Sequence, residues 1–178
     1  MNDSIDRRRF TKKLVGAIAG LGAVGSLSAT ALWWWWGSSR KVAFRKFARV
    51  RELTIGQPTL VSVPESSTAA GPGAPQLSVW LVRRTEGEAD AYSTVCPHAG
   101  GRLRCASGEF VCPKHGARFD LQGHRLKTGT NDKPNPAPRD MDRLAVQCVM
   151  DGGDGPAVEV KYQDFLTGTP KQLPVPGT

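Results

Sequence analysis

The longest uninterrupted apolar pattern lies near the amino terminus, where no residue from Leu14 through Ser39 is charged. Leu14 to Trp36 is 23 residues, about 34 Å as a helix, enough to cross a hydrocarbon layer of roughly 30 Å. Gly16, Gly20 and Ala23 recur within it at near-helical spacing, which could seat a second helix closely. Beyond it the period changes. Val50 to Val63 alternates loosely around Gly56-Gln57-Pro58 and predicts two short strands about a turn. Residues 64–76 read as a loop, and Leu77 to Arg83 as a strand with Trp80 in the core. Glu86-Gly87-Glu88 turns the chain into a strand over Ala91–Val95, which runs into Cys96. Glu109–Val111 leads into Cys112, Arg118–Leu121 leads out, and Gln122-Gly123 makes a tight turn. Leu144–Val149 and Ala157–Tyr162 alternate on either side of Asp151-Gly-Gly-Asp-Gly and predict a hairpin. No stretch beyond the apolar segment has a helical period. The pattern predicts an all-β head, an antiparallel sandwich or small barrel with two long loops at one end, preceded by one transmembrane helix.

Charge changes the picture of where this head works. The net charge is +8, which first suggests nucleic acid or anionic lipid. The distribution excludes nucleic acid as a partner. Arg7, Arg8, Arg9, Lys12 and Lys13 precede the apolar stretch, and Arg40, Lys41, Arg45, Lys46, Arg49 and Arg51 follow it. Residues 52–178 then hold 13 basic and 14 acidic side chains, a net charge of −1. Basicity that brackets one apolar segment is a membrane signature, with lipid as the partner.

Arg7-Arg8-Arg9-Phe10-Thr11-Lys12 resembles the twin-arginine export signal. That route carries folded proteins, which suits a cofactor inserted before export. Ala29-Thr30-Ala31 fits a small-x-small cleavage site, but Trp33–Trp36 suit an interfacial aromatic belt and favour an uncleaved anchor. Four segments follow: a cytoplasmic signal segment over 1–13, an anchor over 14–36, a basic linker or hinge over 37–51 and a globular domain over 52–178. The expected location is the cytoplasmic membrane, single-pass, with the head on the exported, periplasmic side.

The chemistry is concentrated in residues 96–120. Cys96-Pro97-His98 and Cys112-Pro113-Lys114-His115 are two Cys/His pairs separated by 13 residues. Two thiolates and two imidazoles bind zinc or an iron–sulfur cluster. Zinc fingers commonly pair Cys with Cys in one knuckle and His with His in the other. Here each loop carries one of each, so two facing loops can put both cysteines on one iron and both histidines on the other. Cys105 reads as a spare thiol in the first loop, Cys148 as a small buried residue of a strand, and His124 as solvent-exposed.

These pairs, followed by Gly100-Gly101 in the first loop and Gly116-Ala117-Arg118-Phe119-Asp120 in the second, resemble the Rieske 2Fe-2S family. The resemblance implies a Rieske-type antiparallel β sandwich, a 2Fe-2S cofactor and ligation by Cys96, His98, Cys112 and His115. Among the branches of that family, the anchor favours the iron–sulfur subunit of a bacterial cytochrome bc-type complex oxidising menaquinol. Pro134-Asn-Pro-Ala-Pro138 is similar to the proline-rich loop that shields the cluster in such members. The implied role is an electron-transfer subunit of a quinol–cytochrome c reductase type of oxidoreductase in a respiratory chain. Its partners are then cytochrome b, a c-type cytochrome and quinol, and His115 is the exposed, catalytic imidazole.

Two features dissent. Mitochondrial-type members carry a further cysteine in each loop, joined as a disulfide, where this chain has Gly101 and Lys114. They also carry Ser and Tyr where this chain has Ala117 and Phe119. Hydroxyls there bond to sulfur and raise the potential, so this site reads as low-potential. The alternative is therefore a low-potential, ferredoxin-like carrier, or a small subunit for an oxygenase or molybdenum oxidase.

Overall fold

The computed structural model describes residues 43–65, 76–152 and 155–176. The signal segment, the anchor and most of the 64–76 loop lie outside these residues. Among the described residues no helix is long and apolar enough to cross a membrane. The chain divides between Lys41 and Val42, and all that follows concerns the second unit.

Nine strands form two antiparallel sheets among the described residues. β1 (Phe44–Arg49), β9 (Pro156–Lys161), β8 (Arg143–Met150), β4 (Ala89–Ser93), β3 (Gln76–Arg83) and β2 (Pro58–Pro64) lie in that spatial order in the larger sheet. β5 (Arg104–Ala106), β6 (Glu109–Val111) and β7 (Arg118–Phe119) form the smaller one. The edge strands β1 and β2 also touch, and Arg45 on β1 donates to the Glu65 carbonyl, so the larger sheet curls on itself. The all-β expectation holds.

β3 explains how the two sheets share a core. Five successive residues of it, Ser78 to Val82, are buried. Side chains alternate between the faces of a strand. Val79 and Leu81 enter the interior of the larger sheet with Val158, Val160 and Leu144. Trp80 and Val82 point the other way, into a second core with Phe110, Phe119 and Met141. β4 repeats the division: Ala89 and Ala91 face the first core, and Tyr92 the second. Burying each such aliphatic side chain contributes about 1.5–3 kcal/mol.

Three expectations are corrected. The basic stretch expected as a linker over 37–51 is strand from Phe44 on, pairing from Phe44↔Lys161 to Arg49↔Ala157. Arg45 and Lys46 are exposed and Arg49 half-buried, and a bulge between Lys46 and Ala48 turns both Phe47 and Ala48 inward. The two strands expected over Val50–Val63 are a single 3-10 turn, Val50–Glu52, and one strand, β2. Cys105 is not in an open loop but on β5, opposite Phe110. The expected hairpin of β8 and β9 is present, in register from Ala145↔Lys161 to Met150↔Pro156.

Candidate metal centre

The two Cys/His segments fold into loops of one design. In the first, the Cys96 amide donates to the Gly101 carbonyl at 2.7 Å and Gly100 N to Cys96 O at 3.0 Å. In the second, Cys112 N donates to Ala117 O at 2.8 Å and Gly116 N to Cys112 O at 2.9 Å. Each loop thus turns back at its fifth residue, with φ of +70° at Gly100 and +74° at Gly116. An L side chain rarely adopts that conformation, so glycine is required at both places. The small strands hold the loops at one end of the fold. Val95 bridges Arg102 across the first, and Val111 pairs with Arg118 across the second.

A one-residue offset separates the histidines. His98 is the third residue of its loop, and His115 the fourth of a loop of the same length. His98 is half-buried, whereas His115 is exposed. Their rings nevertheless meet edge-on, with centroids 4.9 Å apart. Cys96 and Cys112 are both buried, and their thiols lie within hydrogen-bonding reach of each other. The four residues expected from the sequence therefore come together as two like pairs, thiol with thiol and imidazole with imidazole. Among the described residues no three Cys, His, Asp or Glu side chains converge on a single-ion site.

This arrangement fits a 2Fe-2S cluster. His98 Nδ1 is buried with no hydrogen-bond partner, and a buried ring nitrogen without a partner is costly unless a ligand takes it. Burial pushes the Cys96 thiol up to about 12; amides of His98 and Ala99 act against that shift, while the neighbouring Cys112 adds to it. Bound iron would reverse the balance, because a coordinated thiol is deprotonated outright. The amides of His98 and Ala99 then remain as donors to the Cys96 sulfur.

Ala117 and Phe119 are fully buried in the core that holds both thiols, together with Ala137 from the proline loop. His115 opens onto a cavity of about 360 Å³. Pro113, Pro134 and Pro136 supply apolar lining, and Lys114, Thr130 and Asn131 polar lining. The 134–138 loop therefore lies beside His115. Thr130 and Asn131 had no sequence signal: they belong to a 3-10 turn, Thr130–Asp132, with left-handed backbone at Asn131 and Asp132. Cys105 and Cys148 are half-buried, each packed at the margin of a core. His124 is exposed, with Nδ1 3.2 Å from Asp120 Oδ2.

A family model of the Rieske [2Fe-2S] domain matches residues 44–148. Among solved structures, the chain is similar to the cyanobacterial plasma membrane Rieske protein PetC3 from Synechocystis PCC 6803. That match is 23% identical, covers 66% of this chain and 99% of the other, and has a TM-score of 0.44. The ferredoxin of carbazole 1,9a-dioxygenase from Nocardioides aromaticivorans IC177 is 23% identical over 68% of this chain and 99% of its own, with a TM-score of 0.36. Dicamba monooxygenase is 20% identical over 68% of this chain, with a TM-score of 0.41, and this chain spans 33% of its length. No curated protein matches the chain. The family match covers more than half of the sequence and contains both Cys/His loops, and on that ground the chain belongs to the Rieske [2Fe-2S] family and carries electrons on a Rieske-type cluster.

Proposed function

We propose that this chain is the membrane-anchored iron–sulfur subunit of a cytochrome bc-type complex, taking electrons from a quinol and passing them to a cytochrome. Cys96 and Cys112 would hold one iron, and His98 and His115 the other. The observation that carries the reading is the exposed imidazole of His115 on the wall of a cavity of about 360 Å³. A ring-shaped donor can lodge between the proline loop and that imidazole. The cluster, when bound, supplies one-electron chemistry.

The residues around it supply orientation and a route for the proton. His115 accepts a hydrogen bond from a quinol hydroxyl and is placed to receive its proton. Pro113, Pro134 and Pro136 cover the ring faces, and Thr130 and Asn131 offer polar contacts at the cavity rim. The charge pattern supports a membrane setting. Five cations precede residues 14–36, and Arg40 and Lys41 follow them before β1 begins. The anchor then keeps the head at the exported face of the cytoplasmic membrane, within reach of cytochrome b and a c-type cytochrome.

One observation favours a second reading. Ala117 and Phe119 bring no hydroxyl to the buried sulfurs, which suits a low-potential carrier to an oxygenase or a molybdenum oxidase. A low-potential quinol such as menaquinol reconciles that feature with the first reading. The test is purification of the native chain from membranes. Co-purification of a cytochrome b supports the quinol reading, and co-purification of an oxygenase or molybdenum subunit overturns it.

A further inference from the structure

The two cluster loops share no covalent link, yet both are tied to one stretch of chain. The ties to the second loop come from the proline loop and the turn before it. Thr130 N donates to Gly116 O at 2.8 Å, next to His115. Asn135, itself buried, donates through Nδ2 to Arg118 O at 2.6 Å and to Leu126 O at 2.9 Å.

The tie to the first loop starts at Arg139, directly after the prolines. Its side chain is 7% exposed and lies against that of Asp142, which is 2% exposed. Nε and Nη2 of Arg139 each meet a different Asp142 oxygen at 2.9 Å. The remaining donors reach the carboxy-terminal segment: Nη1 donates to Thr169 O at 2.5 Å and Thr169 Oγ1 at 3.0 Å, and Nη2 to Leu166 O at 2.8 Å. Between those two anchored carbonyls, Gly168 N donates to Pro97 O at 2.8 Å. Pro97 is fully buried between Cys96 and His98.

We infer that residues 130–139 and 166–169 form a noncovalent strap joining the two cluster loops, with Arg139 as its positioning residue. A buried ion pair is weak evidence of stability by itself, since an apolar pair of similar volume often serves as well. An apolar pair cannot hold two carbonyls 27 and 30 residues away in sequence, and Arg139 holds both. Its planar fork satisfies Asp142 with one edge and leaves Nη1 and the far side of Nη2 for Leu166 and Thr169. The segment so fixed presents Gly168 to the backbone of the first loop. That backbone in turn aims the His98 and Ala99 amides at the Cys96 sulfur. Donors to sulfur favour the more negative, reduced state. Slackening the strap therefore lowers the midpoint potential and loosens the cluster, whichever donor and acceptor the protein serves.

The experiment uses the full-length holo-protein in detergent, unmutated, with Arg139→Lys, and with the double change Arg139→Met/Asp142→Leu. The double change removes both buried charges, so no unpaired carboxylate is left to unfold the domain. It is expected to lower the midpoint, to shift and broaden the reduced electron-spin signal, and to speed cluster loss about tenfold, the kinetic equivalent of one charged hydrogen bond. Arg139→Lys restores the charge but not the fork and should fall between. A folded double variant with unchanged midpoint, spectrum and cluster retention overturns the inference. A readout that needs no variant stands beside these. Amide exchange at Gly168 in the unmutated protein should be as slow as at Leu103, whose amide is held by Thr94 O at 2.8 Å. Exchange at the rate of a free loop means that the strap does not hold, and overturns it equally.

Discussion

Gly101 and Lys114 face each other where the two cluster loops meet: a Cβ placed on Gly101 would stand 3.1 Å from Lys114 Cβ. That is closer than the roughly 3.5–4.5 Å between the Cβ atoms of a disulfide, at the pair of positions where a bridge would join the loops. The same Cβ would stand 2.8 Å from Cys112 Sγ. Nothing larger than hydrogen fits without displacing a sulfur ligand. Gly101→Ala is expected to fold, since the core of the larger sheet is untouched, but to retain less iron and to lose it faster. Titration of the denatured, iron-free protein without reductant should find four thiols, because all four cysteines are free. A count of two would mean that Cys105 and Cys148, from separate strands, had paired.

The centre was legible in the sequence because its four donors sit in two short segments whose types and spacing are themselves the signal. The loops around it were legible where a local rule applied. Cys96 and Cys112 each precede a glycine by four residues, and the glycines supply the left-handed turn. β3 was readable as a strand, yet not its double duty, since nothing in Ser78–Val82 says that both faces are covered. β1 was hidden by Arg45, Lys46 and Arg49, which read as a linker, and by a bulge that breaks the alternation. Arg139 and Thr169 are thirty residues apart and carry no motif. Their contact exists only once the barrel has closed, so no local pattern could announce it.

The orphaned Nδ1 of His98 gives the ligand assignment its sharpest test. His98→Ala should abolish the cluster while leaving the larger sheet folded, because its core does not include His98. The unmutated protein should contain two irons and two acid-labile sulfides per chain. His98→Cys or His115→Cys, where a cluster is retained, should lower the potential, since thiolate adds negative charge where neutral imidazole stood. Stoichiometric zinc in place of iron, in protein made with ample iron, contradicts the assignment.

Tyr162 sets an alkaline limit on the fold. Burial pushes its phenol up to about 12, and the nearby Asp164 carboxylate, 3.1 Å from the hydroxyl, adds to the shift. In the unfolded chain the phenol titrates near 10. Between these values the native state holds the proton more tightly than the unfolded one. The resulting stabilisation is fully present below about pH 10 and is lost as pH rises toward about 12. Denaturation midpoints of the holo-protein measured from pH 8.5 upward, roughly one and a half units below that phenol value, should decline along this limb. Tyr162→Phe should flatten the decline, and an equally steep limb in that variant would assign it to other groups.

The protein extracted from membranes should yield peptides from residues 14–36 by mass spectrometry. A mature amino terminus at Leu32 would instead show a cleaved signal and require another tether. Changing Arg7 and Arg8 to Lys should leave the folded head in the cytoplasm. Export that continues unchanged would remove the twin-arginine reading while leaving the cluster assignment intact.

Two buried side chains without hydroxyls lead to an expectation for the potential. Ala117 and Phe119 have no exposure and lie in the core that contains both thiols. Rieske centres span roughly −150 to +300 mV. A hydroxyl donating to sulfur acts more strongly on the reduced state, because reduction adds a full negative charge. Neither side chain can donate, so the midpoint is expected in the lower half of that span. Ala117→Ser and Phe119→Tyr should each raise it, and the double change should raise it further. For one electron, a tenfold change in the equilibrium is about 59 mV, or roughly 1.4 kcal/mol, the size of one hydrogen bond to a charged group. A second influence is burial: Cys96 and Cys112 are almost fully covered, with Ala137 of the proline loop packed against the same core. A low-dielectric surround disfavours added charge, so burial and the missing hydroxyls act in the same direction. Voltammetry of the unmutated holo-protein separates them from a third influence, the amide donors on Cys96. A midpoint near the top of the span would show that backbone donors outweigh both and would overturn the low-potential assignment. A low midpoint that rises with each added hydroxyl would place the control at residues 117 and 119.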